Sequence, residues 1–235
     1  MKTIVIIPTY NEIQHIEKLI YQISYFHPQF DILIVDDNSP DGTGRIVDTL
    51  SKISEKIKVL HRSKKSGLGG AYLEGFKYAL SQSPPYDRII QMDADFSHHP
   101  KYLSDLLETT QNKDFSIGSR YISGGKMLNC RLNRRILSYI ANFYVHLWLR
   151  LKVKDCTGGF RCFSRKVLVD IIKFNTIKSN GYLFQIEVLN YCLHLGYTFA
   201  ETPIIYIDRK EGKTKLGFLE IWEAVWGVPR LSLGI

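Results

Sequence analysis

Four short runs, TIVIIP, DILIVDD, KIKVLHR and DRIIQMDAD, are almost continuously apolar, and each is followed by a longer segment whose apolar residues fall at helical spacing. A strand reads this way when both of its faces are covered, whereas a strand with one wet face alternates. The helical segments begin near Ile13, Gly44, Gly69 and Lys101, and a fifth run, FSIGSR, follows the last of them. Repeated β-α order leaves few options: right-handed crossovers build a mostly parallel sheet with helices on both faces. At 235 residues, 45% of them hydrophobic, the chain has enough apolar side chains for one such domain. No internal repeat, low-complexity tract or linker divides it, so a single domain over 1–235 is predicted.

Sheets of this kind hold ligands at the carboxyl ends of their strands. Three polar clusters fall there: Thr9-Tyr10-Asn11-Glu12, Asp36-Asp37-Asn38-Ser39-Pro40-Asp41-Gly42, and Asp93-Ala94-Asp95. Each alone reads as an ordinary turn, because Asn, Asp, Pro and Gly turn the chain for local reasons. Three on one rim read as a site.

Asp93 and Asp95 stand two apart at a strand end, where the pleat sends both to one side. With a local bend both reach one divalent ion, and hard carboxylate oxygens suit Mg²⁺ or Mn²⁺ bridged to a substrate phosphate. A D-x-D triplet by itself is equally a solvated turn. His98 and His99 follow where a helix begins, and a ring there caps or packs more often than it ligates.

Thirty-one Lys and Arg against 23 Asp and Glu give a formal net charge of +8, which suits nucleic acid, an acidic membrane surface or a phosphorylated substrate. Cys130, Cys156, Cys162 and Cys192 lack C-x-x-C spacing, so they read as free thiols of a reducing compartment rather than a zinc site or disulfide framework. The opening MKTIVIIPTYNE reads as a buried strand, not a signal peptide.

The second half opens with a Gly- and Arg-bearing loop from Ser119 to Arg135. A helical segment from Ile136 to Leu151, the stretch DCTGGFRCF, a helix near Leu183 to Leu195, a strand pair near Thr198 to Asp208 and an aromatic C-terminal helix follow. Thr157, Gly158 and Gly159 either admit a close backbone approach or form a tight turn. The window from Ile136 contains Ser, Asn, His and Arg and falls short of the ~20 apolar residues that span a bilayer. Its Ile136, Leu137, Ile140, Phe143, Tyr144, Leu147, Trp148 and Leu151, beside Arg134, Arg135 and Arg150, fit an interfacial helix, although a core helix has the same periodicity. Trp222 and Trp226, four residues apart, suit a membrane boundary or a protein interface.

VIIPTYNE, VDDNSPDGT, KSGLGGAYLEGF, MDADFSHHP, GSRY, DCTGGFR, GYLFQIEVL and DRKEGKTKL occur in this order from residue 5 to 216. Together they resemble the polyprenol-phosphate (dolichol-phosphate) mannose synthases, inverting glycosyltransferases of the large family that includes cellulose and chitin synthases. The SHHP continuation, Gly-Gly-Phe-Arg, and Arg209 followed by Lys215 narrow the resemblance to a polyprenyl-phosphate acceptor.

The resemblance implies an α/β, GT-A (Rossmann-like), mostly parallel sheet flanked by helices, with amphipathic interfacial helices in the C-terminal half. Residues 1–120 become the nucleotide-sugar half and 121–235 the acceptor-binding, membrane-facing half. By the same resemblance Pro8, Tyr10, Glu12, Val35 and Asp37 hold the guanine nucleoside of GDP-mannose. Asp93 and Ala94 lie beside the diphosphate and sugar, and Asp95 binds the metal, with Asp93 and Ser97 as further donors. Ser97 stands where the family often has Gln, a departure that puts metal identity and affinity in question. Arg120, Arg209 and Lys215 resemble the phosphate-contacting cations, and Asp95, Arg120 and Arg209 carry the catalytic roles. Arg131, Arg134, Arg135 and Ser138 receive the polyprenyl phosphate. Gln185 and Glu187 either face the acceptor pocket or pack.

The implied reaction is mannose transfer from GDP-mannose to polyprenyl (dolichyl) phosphate with inversion, releasing GDP and needing Mg²⁺ or Mn²⁺. The implied setting is peripheral, on the cytoplasmic face of a membrane, with a small membrane-anchoring subunit as a further partner. Nucleic acid is not expected as a partner, since no motif resembles a nucleic-acid-binding module. The alternatives are a hexosyl transferase using a UDP-sugar and a non-catalytic sugar-nucleotide-binding subunit.

Overall fold

The computed structural model describes residues 1–174, 177–208 and 218–233. Strands β1 (Thr3–Thr9), β2 (Asp31–Asp36), β3 (Ile57–His61) and β4 (Arg88–Gln91) lie parallel in the spatial order β3-β2-β1-β4. Helices α1 (Ile16–Phe26), α2 (Thr43–Ile53) and α3 (Leu68–Ser81) make the crossovers. A 3₁₀ turn at Pro100–Tyr102 leads into α4 (Leu103–Thr109) and β5 (Phe115–Ser119). All five strands expected from apolar runs are therefore present, and each helix begins within three residues of its expected start.

The near-continuous apolar strands fill two cores. Ile4, Ile6, Leu33 and Val35 face one way, towards α3, and Val5, Ile7, Ile32 and Ile34 face the other, towards α1 and α2. Gly75 of α3 permits this approach, because a methyl group there would lie 2.6 Å from Ile6 Cγ2.

Beyond β4 the sheet departs from the simple pattern. β7 (Arg161–Ser164) inserts antiparallel between β4 and β5, and β8 (Phe199–Pro203) continues the sheet parallel to β5. The strand pair expected near Thr198 to Asp208 is instead two strands in different sheets. β9 (Ile205–Ile207) leaves β8 at Ile204 and pairs in parallel with β6 (Lys126–Leu128), within the segment read from sequence as a loop. The switch is hydrogen-bonded: Ile204 N–H donates to Ser119 O and Lys126 N–H to Ile204 O, both at 3.0 Å.

Helix α5 (Leu132–Leu149) starts one turn before its apolar stripe, and α6 (Arg165–Phe174), α7 (Leu183–His194) and α8 (Phe218–Ser232) complete the second half. Among the described residues no helix is long and apolar enough to cross a membrane. The four cysteines are unbridged.

Candidate active site

The first two clusters are tied to each other. Asp36 Oδ1 accepts from Thr9 Oγ1 (2.9 Å) and Ser39 Oγ (2.6 Å), and Ser39 Oγ accepts from Asn11 N–H (3.0 Å). Asp41 accepts from Ile13 N–H and from both the N–H and hydroxyl of Thr43. Asp36 and Asp41 thus build the rim, and Asp37 lies buried beside it. Asp37 Oδ1 accepts from Arg62 Nη1 (2.5 Å) and Oδ2 from Ser66 N–H (3.3 Å), so its charge is matched by a buried arginine. Tyr10 offers a ring whose face carries Lys65 Nζ at 4.2 Å. Glu12 and Pro8 lie on the same rim, Glu12 buried and Pro8 half-buried.

Val35, one residue before the end of β2, is 0% exposed and packs against the Gly75 position, and its backbone pairs with Pro8 on one side and Leu60 on the other.

After β4 the backbone bends through Met92–Ser97, with Phe96 at φ +61°. Asp93 Oδ1 accepts from Tyr72 Oη (3.3 Å), and Asp95 Oδ1 accepts from Ser97 N–H (3.1 Å) in a local turn. Burial of Tyr72, then the charge of Asp93, raises the phenol well above its ordinary value, so it stays a donor. His98 stacks on Phe160 at 4.8 Å, and its Nδ1 accepts from Asp93 N–H (3.1 Å). His99 Nδ1 accepts from Lys101 N–H and caps the 3₁₀ turn. Both rings cap and pack, as their position at a helix start implies. Two carboxylates at one bend suit a hard divalent cation whose other positions are filled by phosphate and water. Among the described residues no three His, Cys, Asp or Glu side chains converge to form a closed protein cage.

Beyond the bend lies a buried charge system of which sequence reasoning named only Arg120. Arg120 makes a two-pronged pair with Asp155, Nε to Oδ2 and Nη2 to Oδ1 each at 2.7 Å, and Nη2 also donates to Thr157 Oγ1 (2.8 Å). Asp155 further accepts from Arg120 N–H and Gly158 N–H, both at 3.0 Å. Arg161, fully buried in β7, donates to the carbonyls of Gly158 (2.9 Å), Gln185 (2.7 Å) and Cys156 (3.2 Å). Burial lowers Arg161 to about 10, so it stays charged at neutral pH and clamps the Thr-Gly-Gly loop to the first turn of α7.

On the far side, Arg134 pairs with Asp208 and donates to Tyr206 Oη (3.2 Å). Tyr206 lies under the Arg120 guanidinium at 5.6 Å and meets the His98 ring edge-on at 6.4 Å. Burial raises its phenol strongly, and Asp95 and Asp93 push it the same way. Ser138 shares a 2.6 Å hydrogen bond with Tyr121, while Arg131 and Arg135 are exposed on the first turns of α5. An open cavity of about 440 Å³ lies between the β5–β6 segment and α5, lined by Arg120, Tyr121, Ile122, Tyr139, Phe143 and His146. Arg209 and Lys215 lie outside the described residues.

The apolar stripe of α5 points outward. Only Asn142 and Val145 are buried within the helix, whereas Ile140 is 58%, Phe143 68% and Leu147 63% exposed. Helix α8 packs beside it, with Tyr144 Oη donating to Val225 O (2.7 Å), and adds exposed Trp222 and Trp226, whose rings meet edge-on at 5.7 Å.

A mostly parallel sheet flanked by helices, with an acidic bend at its rim, agrees with the GT-A arrangement that the resemblance implies. Residues 4–172 match Glycosyl transferase family 2, and the chain belongs to that family. It is 39% identical to the undecaprenyl-phosphate mannosyltransferase of Micrococcus luteus over 233 residues, covering 99% of this chain and 95% of that one. It is likewise 39% identical over 234 residues to the polyprenol monophosphomannose synthase of Mycolicibacterium smegmatis, covering 99% and 87%. Among solved structures, a mycobacterial protein superposes with a TM-score of 0.68 at 16% identity, covering 99% of this chain and 73% of that one. The mannosyltransferase PcManGT of Pyrobaculum calidifontis, solved with GDP-Man and Mn²⁺, superposes with a TM-score of 0.61 at 16% identity. That match covers 97% of this chain and 60% of the other.

Proposed function

We propose that the chain transfers mannose from GDP-mannose to a polyprenyl phosphate with inversion, working at the cytoplasmic face of a membrane. One observation supports the reading: Tyr206 accepts from Arg134 at the start of α5 and meets the His98 ring of the acidic bend, so a donor diphosphate held at the bend would lie near an acceptor phosphate held by Arg134. The names of the two 39% identical relatives support the sugar and the acceptor, and the bound ligands of PcManGT support the donor and a divalent metal.

Asp93 and Asp95 would hold Mg²⁺ or Mn²⁺, which when bound supplies positive charge to the departing diphosphate. Tyr72 and His98 fix the bend, so the carboxylates need little reorganisation. Arg120, its charge matched by Asp155, would orient the Thr157 hydroxyl and the loop that follows it. Arg209 and Lys215 remain the expected further phosphate cations. Arg134, steadied by Asp208 and Tyr206, with Arg131, Arg135 and Ser138 nearby, orients the acceptor phosphate. That phosphate is already ionised at neutral pH, so the chain has no need of a strong base; in-line attack at the anomeric carbon gives inversion. The outward faces of α5 and α8 would lie on the bilayer with lipid tails beside Phe143.

The test is transfer of label from GDP-mannose, with UDP-glucose in parallel, into organic-extractable polyprenyl phosphate, with and without chelator. Label from GDP-mannose alone, lost on chelation, is expected. Label only from UDP-glucose overturns the donor, and no label unless a small membrane subunit is added makes that subunit obligatory.

A further inference from the structure

We infer that Gln185 reads a hydroxyl group of the sugar being transferred, an inference that rests on the glycosyl-transfer reading above. Gln185 is the third residue of α7 and is 2% exposed, yet neither its Oε1 nor its Nε2 has a hydrogen-bond partner. Burying an amide with both ends unsatisfied is costly, and native proteins retain such a group where a ligand completes it.

The direction of the side chain says where that ligand would lie. A methyl group added to Gly159 would stand 3.1 Å from Gln185 Nε2 and 3.8 Å from Asp93 Oδ1. The amide, the Gly159 α-carbon and the Asp93 carboxylate therefore converge on one spot at the half-buried Gly159, and any residue larger than glycine there would crowd the amide. Three contacts hold the geometry. Gln185 O accepts from Arg161 Nη1 at 2.7 Å; the neighbouring Phe184 ring stacks on Tyr72 at 5.9 Å and 8°; and Tyr72 Oη donates to Asp93. The amide is thus placed before any ligand arrives.

Chemistry narrows the ligand. A carboxamide both donates and accepts, as a sugar hydroxyl does, and the Asp93 carboxylate beside it accepts only. An acceptor-only neighbour disfavours a phosphate at this spot and favours a hydroxyl that can donate to it. The competing account is structural: Gln91, 0% exposed and also unpartnered, lies on the strand register opposite Arg161, and a buried water joining the two amides would satisfy both without a sugar.

The experiment compares wild type with Gln185→Met, an apolar side chain of similar length, and Gln185→Asn, which keeps the amide but withdraws it. Binding of GDP and of GDP-mannose, turnover of GDP-mannose and of its 2-, 3-, 4- and 6-deoxy analogues, and thermal midpoint are measured on each. Both variants are expected to keep GDP affinity while GDP-mannose kcat/KM falls about tenfold to a hundredfold, the size of one lost buried hydrogen bond. For one deoxy donor the wild-type penalty is expected to vanish in Gln185→Met, as a double-mutant cycle requires. Gln185→Met is also expected to melt no lower than wild type, because it removes an unsatisfied buried amide. Deoxy penalties that are the same in wild type and variants, or a lower melting midpoint with unchanged GDP-mannose affinity, would overturn the assignment and favour the water-bridged pair. Absence of transfer from GDP-mannose by wild type would overturn the reading beneath it and the inference together.

Discussion

Arg120 and Asp155, 35 positions apart, close a two-pronged ion pair at 2.7 Å on both arms, with Asp155 fully buried. Burial on its own would raise the Asp155 carboxyl, but the Arg120 charge and hydrogen bonds outweigh it and hold the group below its ordinary 3.8. A depressed folded value means that the unfolded chain binds the extra proton first. The pair's stabilisation is therefore complete above about pH 4 and is lost as pH falls through the lower folded value. Asp155→Ala, which strands a buried guanidinium, is expected to cost about 3–5 kcal/mol. Urea unfolding of wild type and Asp155→Asn between about pH 7 and pH 3 checks the sign, since the gap between them should narrow only at the acid end.

Asp93 and Asp95 stand at one bend but have different neighbours, and so predict different losses. Asp95→Asn should lower kcat on the order of a hundredfold or more and abolish stimulation by Mn²⁺, as expected for lost charge stabilisation of the leaving group. Asp93→Asn should in addition weaken GDP-mannose binding, because Asp93 faces Gly159 and Gln185 as well. Steady-state rates across a Mn²⁺ titration separate the two.

Arg134 joins Asp208 and Tyr206 through a planar fork that lysine lacks. Arg134→Lys is expected to raise the KM for polyprenyl phosphate about tenfold while leaving the KM for GDP-mannose unchanged. Arg131→Ala and Arg135→Ala remove exposed charges, so their smaller effects should fade as salt rises. Kinetics with a short-chain acceptor at low and high salt distinguish an oriented contact from a diffuse field.

Phe143 and Ile140 hold the outer face of α5, where neither supports the core. A carboxylate at either position should leave the melting midpoint unchanged and cut binding to anionic vesicles at least about tenfold. Co-sedimentation measures this directly, and unchanged binding would move the membrane contact elsewhere.

The first half of the fold was legible because its signals are local: β-branched runs of strand length, helical periodicity between them, and polar clusters where β1, β2 and β4 stop. β7 was missed because it is four residues long, stands one residue after a glycine pair and begins with an arginine, a residue type that is mostly exposed but is here enclosed by three carbonyls. Asp155 and Tyr206 were missed for a different reason. Their partners lie 35 and 72 positions away, and only the folded sheet brings them together. The quoted stretch DCTGGFR contains Asp155, so the residue was in view without its partner.

Glu187 resolves to packing rather than to the acceptor pocket, and this makes the last prediction specific. Its two carboxylate oxygens accept from Lys178 N–H (3.1 Å) and Ser179 N–H (2.9 Å), which shapes the loop before α7. Asn180 O in that loop accepts from Gly69 N–H (3.0 Å), so one of the first N–H groups of α3 is satisfied by protein. Gly69 must lack a side chain there, because a methyl group would stand 2.4 Å from Ser179 O. Glu187→Ala strands two backbone donors and should cost about 1–3 kcal/mol, whereas Glu187→Gln, which can accept only one of them, should cost less. Gly69→Ala should cost at least as much as Glu187→Ala, since backbone must move to admit it. Because the two Glu187 variants act through the loop before α7 rather than on substrate, their unfolding curves should shift while the KM values for donor and acceptor at low temperature stay as in wild type.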